Sequence, residues 1–191
     1  MSSLRTFIAL DIPAHTQTQI TKQTATLQRL SGVRWIPTGN LHLTLKFLGD
    51  VTPAKIDTVA QSLSDLAARV QVFEIHITGL GTFPNIRNPR IIWIGIQAPQ
   101  TLQTLHRGLE TATTKLGFPP EKRSFNPHLT IGRVKRHISP EEVKNLQAAL
   151  SNTDIGQIET ISVNALHIYK SDLKPTGAVY TKLYSTPLSN P

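Results

Sequence analysis

The chain has 191 residues, 39% of them hydrophobic and 17% charged, which supports a buried core and excludes a disordered chain. It has no cysteine, which excludes disulfides, thiolate metal sites and a thiol nucleophile, and which suits a reducing compartment. The net charge of +8 favours a polyanionic partner, nucleic acid first.

Residues 1–5 lack the charged start and apolar core of a secretory signal. The apolar run at 7–10 stops at Asp11, too short to span a membrane, so a soluble cytoplasmic protein is expected. Residues 5–12 read as a strand ended by Pro13. A polar helix is expected over 14–30, weakened by its threonines and closed by Gly32. A short strand at 33–36 and a turn at 37–40 follow. Residues 41–48 alternate as a strand, closed by Gly49-Asp50. Thr52-Pro53 starts a helix whose apolar stripe is Ile56, Val59, Leu63, Leu66 and Val70. Residues 72–80 alternate as a strand, and 81–89 form a loop rich in Gly, Pro and Asn.

The second half replays this order. Residues 90–98 read as a strand ended by Pro99, and Leu102, Leu105, Leu109, Ala112 and Leu116 stripe a helix. A turn-rich loop covers 117–127, and a strand covers 128–134. Ser139-Pro140-Glu141-Glu142 is a capping box opening a helix with Val143, Leu146 and Leu150. Residues 160–169 read as one long alternating strand, and 179–184 as another.

One short pattern occurs in both halves. Asn40-Leu41-His42-Leu43-Thr44-Leu45 and Asn126-Pro127-His128-Leu129-Thr130-Ile131 both read Asn-x-His-Leu-Thr-apolar, 86 residues apart. Pro13/Pro99, Ile75/Ile161 and Leu80/Leu166 share that spacing. A single His-Leu-Thr carries little weight, because an alternating strand produces such triplets by chance. Two copies in matching context predict an internal duplication, with repeats at about 5–81 and 90–170 inside one domain over 1–191. The expected fold is α+β: two similar lobes with antiparallel sheets, related by a pseudo-two-fold axis, with both motifs in a central cleft.

Residues i and i+2 of a strand share a face, so each motif presents an imidazole beside a hydroxyl, with Leu43, Leu45, Leu129 and Ile131 turned to the core. Two opposed histidines form a general acid and a general base. In-line displacement at phosphorus needs a proton taken on one side and given on the other. The threonine hydroxyls then donate to the non-bridging oxygens. Lys46 has the parity of His42 and Thr44 and is expected to reach the same phosphate. Arg133 has the wrong parity unless a bulge at Gly132 turns it into the groove. Lys135 and Arg136 read as an ordinary solvated face. Trp35, Phe125 and Trp93 offer stacking surfaces, although the apolar run around Trp93 marks it as core. Two histidines are too few for a zinc site unless Asp11 or Asp50 joins them, and no nucleophile elbow is present. The two motifs are too alike to separate acid from base.

Paired His-x-Thr-x motifs resemble those of the 2H phosphoesterase superfamily. Within it the chain is similar to the RNA 2′,3′-cyclic phosphodiesterases first described as 2′-5′ RNA ligases. Arg5-Thr6-Phe7-Ile8-Ala9-Leu10-Asp11, Val33-Arg34-Trp35 and segments 41–49, 90–95, 125–133 and 171–180 carry the likeness in order along nearly the whole chain. The resemblance implies a LigT-like two-lobed fold without metal or cofactor. It also implies hydrolysis of an RNA 2′,3′-cyclic phosphate end to a 2′-phosphate. It makes His42 the proton donor and His128 the acceptor, with Thr44, Thr130 and Arg133 on the phosphate. The implied partner is RNA with a cyclic end, tRNA halves among the candidates, and no obligatory protein partner. A monomer is expected, because the pseudo-symmetry lies within one chain. The alternatives are the reverse ligation, a phosphoesterase acting on small cyclic nucleotides, and a non-catalytic RNA-binding module.

Overall fold

A computed structural model describes residues 3–175 and 177–190. In chain order the elements are β1 (Leu4–Asp11), α1 (Ala14–Gln23), β2 (Val33–Trp35), β3 (His42–Val51), α2 (Pro53–Ala67) and β4 (Phe73–Phe83). Then come β5 (Ile91–Gln97), α3 (Gln100–Lys115), β6 (His128–Val134), α4 (Pro140–Ser151), β7 (Gln157–Val163), β8 (Ala165–Lys174) and β9 (Gly177–Pro187). The strands form one sheet in the order β7-β4-β5-β6-β3-β1-β8-β9, with β2 also paired to β6.

The sheet divides into two lobes between β6 and β3. Among the described residues these two strands share one register pair, Leu43 with Leu129, both fully buried. Read outward from that seam, β3 is followed by β1, β8 and β9, and β6 by β5, β4 and β7. The two motif strands therefore hold equivalent places. The halves of the chain do not map cleanly onto the lobes, however. Strand β4 of the first half lies in the β6 lobe, and β8 and β9 of the second half lie in the β3 lobe.

Local chemistry explains most elements. The helix α2 buries Ile56, Val59, Leu63 and Ala67, and α3 buries Leu102, Leu105 and Leu109, so both stripes face the core. Helix α4 has its capping box, with Ser139 Oγ accepting from the Glu142 amide at 3.1 Å and the Glu142 carboxylate accepting from the Ser139 amide at 2.7 Å.

Three expectations are corrected. The helix expected over 14–30 stops at Gln23, and a separate 3₁₀ turn covers Leu27–Arg29. Thr21 and Thr24 hydroxyls donate back to the carbonyls of Gln17 and Ile20, a local bond that competes with the helical ladder. The long strand expected over 160–169 is two strands broken at Asn164. Its halves diverge to opposite lobes: β7 pairs with β4 and β8 with β1. The apolar positions are odd through Val163 and even from Leu166, so the alternation changes phase where the chain crosses. Ile75 and Ile161, matched by spacing, are direct cross-strand partners. Finally, β3 continues through Gly49 and Asp50 to Val51, because Leu4, Arg5 and Thr6 of β1 pair with that end.

Candidate active site

Leu43 and Leu129 face each other across antiparallel strands and point into the core. The flanking positions therefore place His42 across from Thr130, and Thr44 across from His128, on the opposite face. Each motif thus turns its imidazole and hydroxyl to the same face as the other's. All four side chains are part-buried.

The rings are held alike. His42 Nδ1 lies 2.8 Å from the Asn40 carbonyl oxygen, and His128 Nδ1 lies 2.6 Å from that of Asn126. A carbonyl only accepts, so Nδ1 carries the proton and Nε2 is turned to the cleft. Each ring also meets an aromatic edge: Tyr180 at 5.1 Å from His42 and Phe83 at 4.9 Å from His128. The duplicated asparagines differ in their side chains. The Asn40 amide donates to the Ala178 carbonyl at 2.8 Å and ties the end of β9 to the first motif, whereas the Asn126 amide donates to Ser124.

Burial pushes both histidines below the usual imidazole range, and the carbonyl bonds partly restore them. The Arg133 guanidinium pushes both further down. One cation thus acts on both rings. Asp11 holds His42 up, and His128 has no such carboxylate.

The same irregularity recurs in both motif strands. Against β1, Lys46 pairs with Ile8 and Thr44 with Ala9, which leaves Leu45 extra. Against β5, Gly132 pairs with Ile92 and Thr130 with Trp93, which leaves Ile131 extra. These bulges shift the parity of everything after them. Arg133 is thereby exposed on the cleft face, as a bulge there would require. Lys46 is turned away, contrary to its expected place at the phosphate. It is 5% exposed, its ammonium 2.8 Å from both carboxylate oxygens of Glu110 and 3.1 Å from the Pro119 carbonyl. Strand parity misplaced it because the bulge comes one residue earlier. Glu110 also accepts from the Glu121 amide, so this pair anchors the loop that leads to His128.

The aromatic residues divide. Trp93, expected as core, stands beside His128 at 6.4 Å and packs on Phe83 at 5.3 Å. Gly81 gives it room, since a Cβ there would lie 2.2 Å from the indole. Trp35 covers Gly132. Phe125 stacks on His106 at 3.9 Å, behind the motif. Sequence reasoning missed Phe7, Tyr169 and Tyr180, which wall His42. Phe7 and Asp11 share strand parity, and His167 and Tyr169 do likewise, so alternation in β1 and β8 held that signal. A cavity of about 130 Å³ opens beside His42, with Asp11, Gln17, Asn40, Tyr169 and Tyr180 among its lining residues.

Arg34 pairs with Arg133 in register, a like-charge neighbour that an anion would relieve. Asp50 lies at the far end of β3 opposite Arg5, away from the histidines. Among the described residues no three His, Asp or Glu side chains come close enough to hold a metal ion.

Comparison with known proteins agrees with this layout. The sequence pattern of the 2′-5′ RNA ligase superfamily matches residues 13–175. An RNA 2′,3′-cyclic phosphodiesterase of Methanothermobacter thermautotrophicus is 34% identical over 181 residues, covering 94% of this chain and 96% of that protein. One from Thermotoga maritima is 34% identical over 182 residues, covering 95% and 94%. The crystal structure of TT0787 of Thermus thermophilus superposes with a TM-score of 0.79 at 26% identity, covering 96% of this chain and 97% of that one. E. coli LigT complexed with 3′-AMP gives 0.78 at 25% identity, covering 98% and 99%. With two motif strands in equivalent places, likeness along nearly the full length and a matching fold, the chain belongs to the 2′-5′ RNA ligase superfamily, the 2H phosphoesterases.

Proposed function

We propose that the protein is a hydrolase that opens RNA 2′,3′-cyclic phosphate ends to 2′-phosphomonoesters, with His42 and His128 as its acid–base pair. The observation that carries this reading is the Leu43–Leu129 register pair, which sets the two His-x-Thr-x strands side by side, with Arg133 exposed just beyond the bulge in the second. A phosphate bound there has one imidazole on each side.

His128 Nε2 takes a proton from water as the water oxygen bonds to phosphorus. The bond from phosphorus to O3′ breaks, and His42 Nε2 gives its proton to that oxygen. The products are a 3′ hydroxyl and a 2′-phosphate, with one proton taken and one given. Thr44, Thr130 and Arg133 hold the non-bridging oxygens, where hydrogen bonds and positive charge count most in the transition state. Each proton transfer contributes about 10²- to 10⁴-fold.

Ligation to a 5′ hydroxyl uses the same groups in reverse, but water outcompetes the hydroxyl in an open cleft. Small cyclic nucleotides share the chemistry. The excess of basic residues and the Arg34–Arg133 neighbours support a longer anion, RNA, with tRNA halves as candidates. A module that only binds RNA needs no matched acid and base. None of the described helices is long and apolar enough to cross a membrane. We place the enzyme in the cytoplasm as a monomer, needing no protein partner, with its two motif-bearing repeats arising by internal duplication.

The test is product mapping on an oligonucleotide with a 2′,3′-cyclic end, in excess chelator. A 2′-phosphate product is expected. A 3′-phosphate, joined RNA or loss of turnover with chelator would overturn the reading.

A further inference from the structure

The two motifs share ring geometry, so something outside them must decide which histidine donates. Asp11 is the cross-strand partner of His42 in the β1–β3 register, and adjacent partners share a face. Its carboxylate is fixed from three directions. Tyr169 donates its hydroxyl to one oxygen, the Lys182 ammonium lies 2.5 Å from the other, and His167 Nε2 lies 3.4 Å from that second oxygen. His167 Nδ1 is buried without a partner, so the tautomer that suits the site carries its proton on Nε2, toward Asp11. Opposite His128 the register places Gly95. No carboxylate fits there, since even a Cβ would lie 2.8 Å from the Thr78 carbonyl oxygen. The residue 86 positions after Asp11 is Gln97, which is neutral and exposed.

We propose that Asp11 is a positioning residue that assigns the proton: held by Tyr169, Lys182 and His167, it keeps His42 the donor, while the bare Gly95 leaves His128 the acceptor. This rests on the reading of the two histidines as an acid–base pair. The charge balance around His42 favours it. Asp11 from β1 is the negative group acting on the ring, and Arg133 from β6 the positive one. Tyr169 and His167 from β8, and Tyr180 and Lys182 from β9, complete the surroundings. Lys46, on the same strand as His42, points to the other face. Burial raises the Asp11 carboxyl, but its bonds from Lys182 and Tyr169 outweigh that and hold it ionised through the working range. Lys182 draws on the charge that Asp11 offers His42, and its side chain is 40% exposed, so it is removable without opening the core.

The experiment is the pH profile of kcat/KM on the cyclic-ended oligonucleotide for four proteins: the parent, Asp11→Asn, Lys182→Met and the double variant. The alkaline limb reports loss of the donor's proton, and the acid limb reports protonation of the acceptor. Asp11→Asn is expected to move the alkaline limb to lower pH and leave the acid limb in place. Lys182→Met is expected to move the alkaline limb the opposite way. The double variant should match Asp11→Asn, because Lys182 acts through that carboxylate. A merely structural role would lower both limbs together without displacing either. If Asp11→Asn fails to fold, the upward displacement in Lys182→Met still decides. Unmoved limbs in both single variants, with His42→Ala inactive, would overturn the proposal alone. Displacement of the acid limb would make His42 the acceptor and overturn the assignment. An active His42→Ala would instead remove the acid–base reading beneath it.

Discussion

The motif strands β3 and β6 agree as far as their bulges and then part company. Up to that point they match: Nδ1 on a carbonyl two residues back, a hydroxyl two residues on, an extra residue at Leu45 and at Ile131. Beyond it, Lys46 corresponds to Gly132 and Phe47 to Arg133. The opposing strands differ too, Asp11 facing His42 and Gly95 facing His128. Geometry has been kept twice, and charge has been placed once. On the proposed mechanism, the repeated geometry suits an in-line displacement, which needs two equivalent stations. On the same proposal, unequal charge would divide the labour between them, since two imidazoles in identical surroundings have no reason to take opposite roles.

Breaking the shared part has the largest expected effect. His42→Ala and His128→Ala should each lower kcat by about 10²- to 10⁴-fold. Both should keep a native circular dichroism spectrum, since each ring is part-buried at the cleft. If either variant keeps full turnover, the two stations are not both used.

Arg133 sharpens the unequal part. Removing one charge-assisted contact, worth about 1.5–3 kcal/mol, lowers kcat/KM by roughly 10- to 100-fold in Arg133→Ala. Because its charge depresses both histidines, its loss should move both limbs of the pH profile to higher pH. Phe47→Ala, at the corresponding place, should cost less and move neither limb. In the parent, both rings titrate below the usual histidine value, so kcat/KM, which reports the free enzyme, should peak at lower pH than kcat, which reports the phosphate-loaded site.

Lys46 tests the other half of the comparison. Lys46→Met leaves Glu110 without its cation, and breaking such a part-buried pair should cost about 2–3 kcal/mol in chemical denaturation. Adding Glu110→Gln should recover part of it. Turnover well below the melting temperature should survive, since Lys46 does not reach the phosphate. A KM rise as large as that of Arg133→Ala would return Lys46 to the substrate.

The smallest effect is on stability. Burial is the first cause depressing His42, His106, His128 and His167. A histidine depressed in the fold contributes stability above its unfolded value of about 6.5, and loses it as pH falls through the folded value. The melting temperature should therefore be flat in mild alkali and decline on acidification, before the carboxylates titrate.

Much of this was legible in the sequence. Apolar periodicity placed α2, α3 and α4, and the repeated His-Leu-Thr placed the site. Three things were not. Strand parity assumes a regular ladder, so the bulge at Leu45 reversed Lys46 while the one at Ile131 delivered Arg133. A change of apolar phase between Val163 and Leu166 marks where β7 parts from β8, but alternation is blind to partner choice, so their joining opposite lobes was invisible. Trp93 read as core because its neighbours are apolar, but on a strand its own parity decides, and that parity faces His128.

Because β4 crosses to the β6 lobe and β8 and β9 return to the β3 lobe, neither half of the polypeptide owns a complete lobe. The exposed segment at 84–88, with Arg87 in it, separates the halves. A protease nick at Arg87 should thus leave two fragments clasped in one active particle on size exclusion. Once parted by denaturant, each fragment alone would expose unpaired strand edges and should aggregate, while remixing should restore turnover.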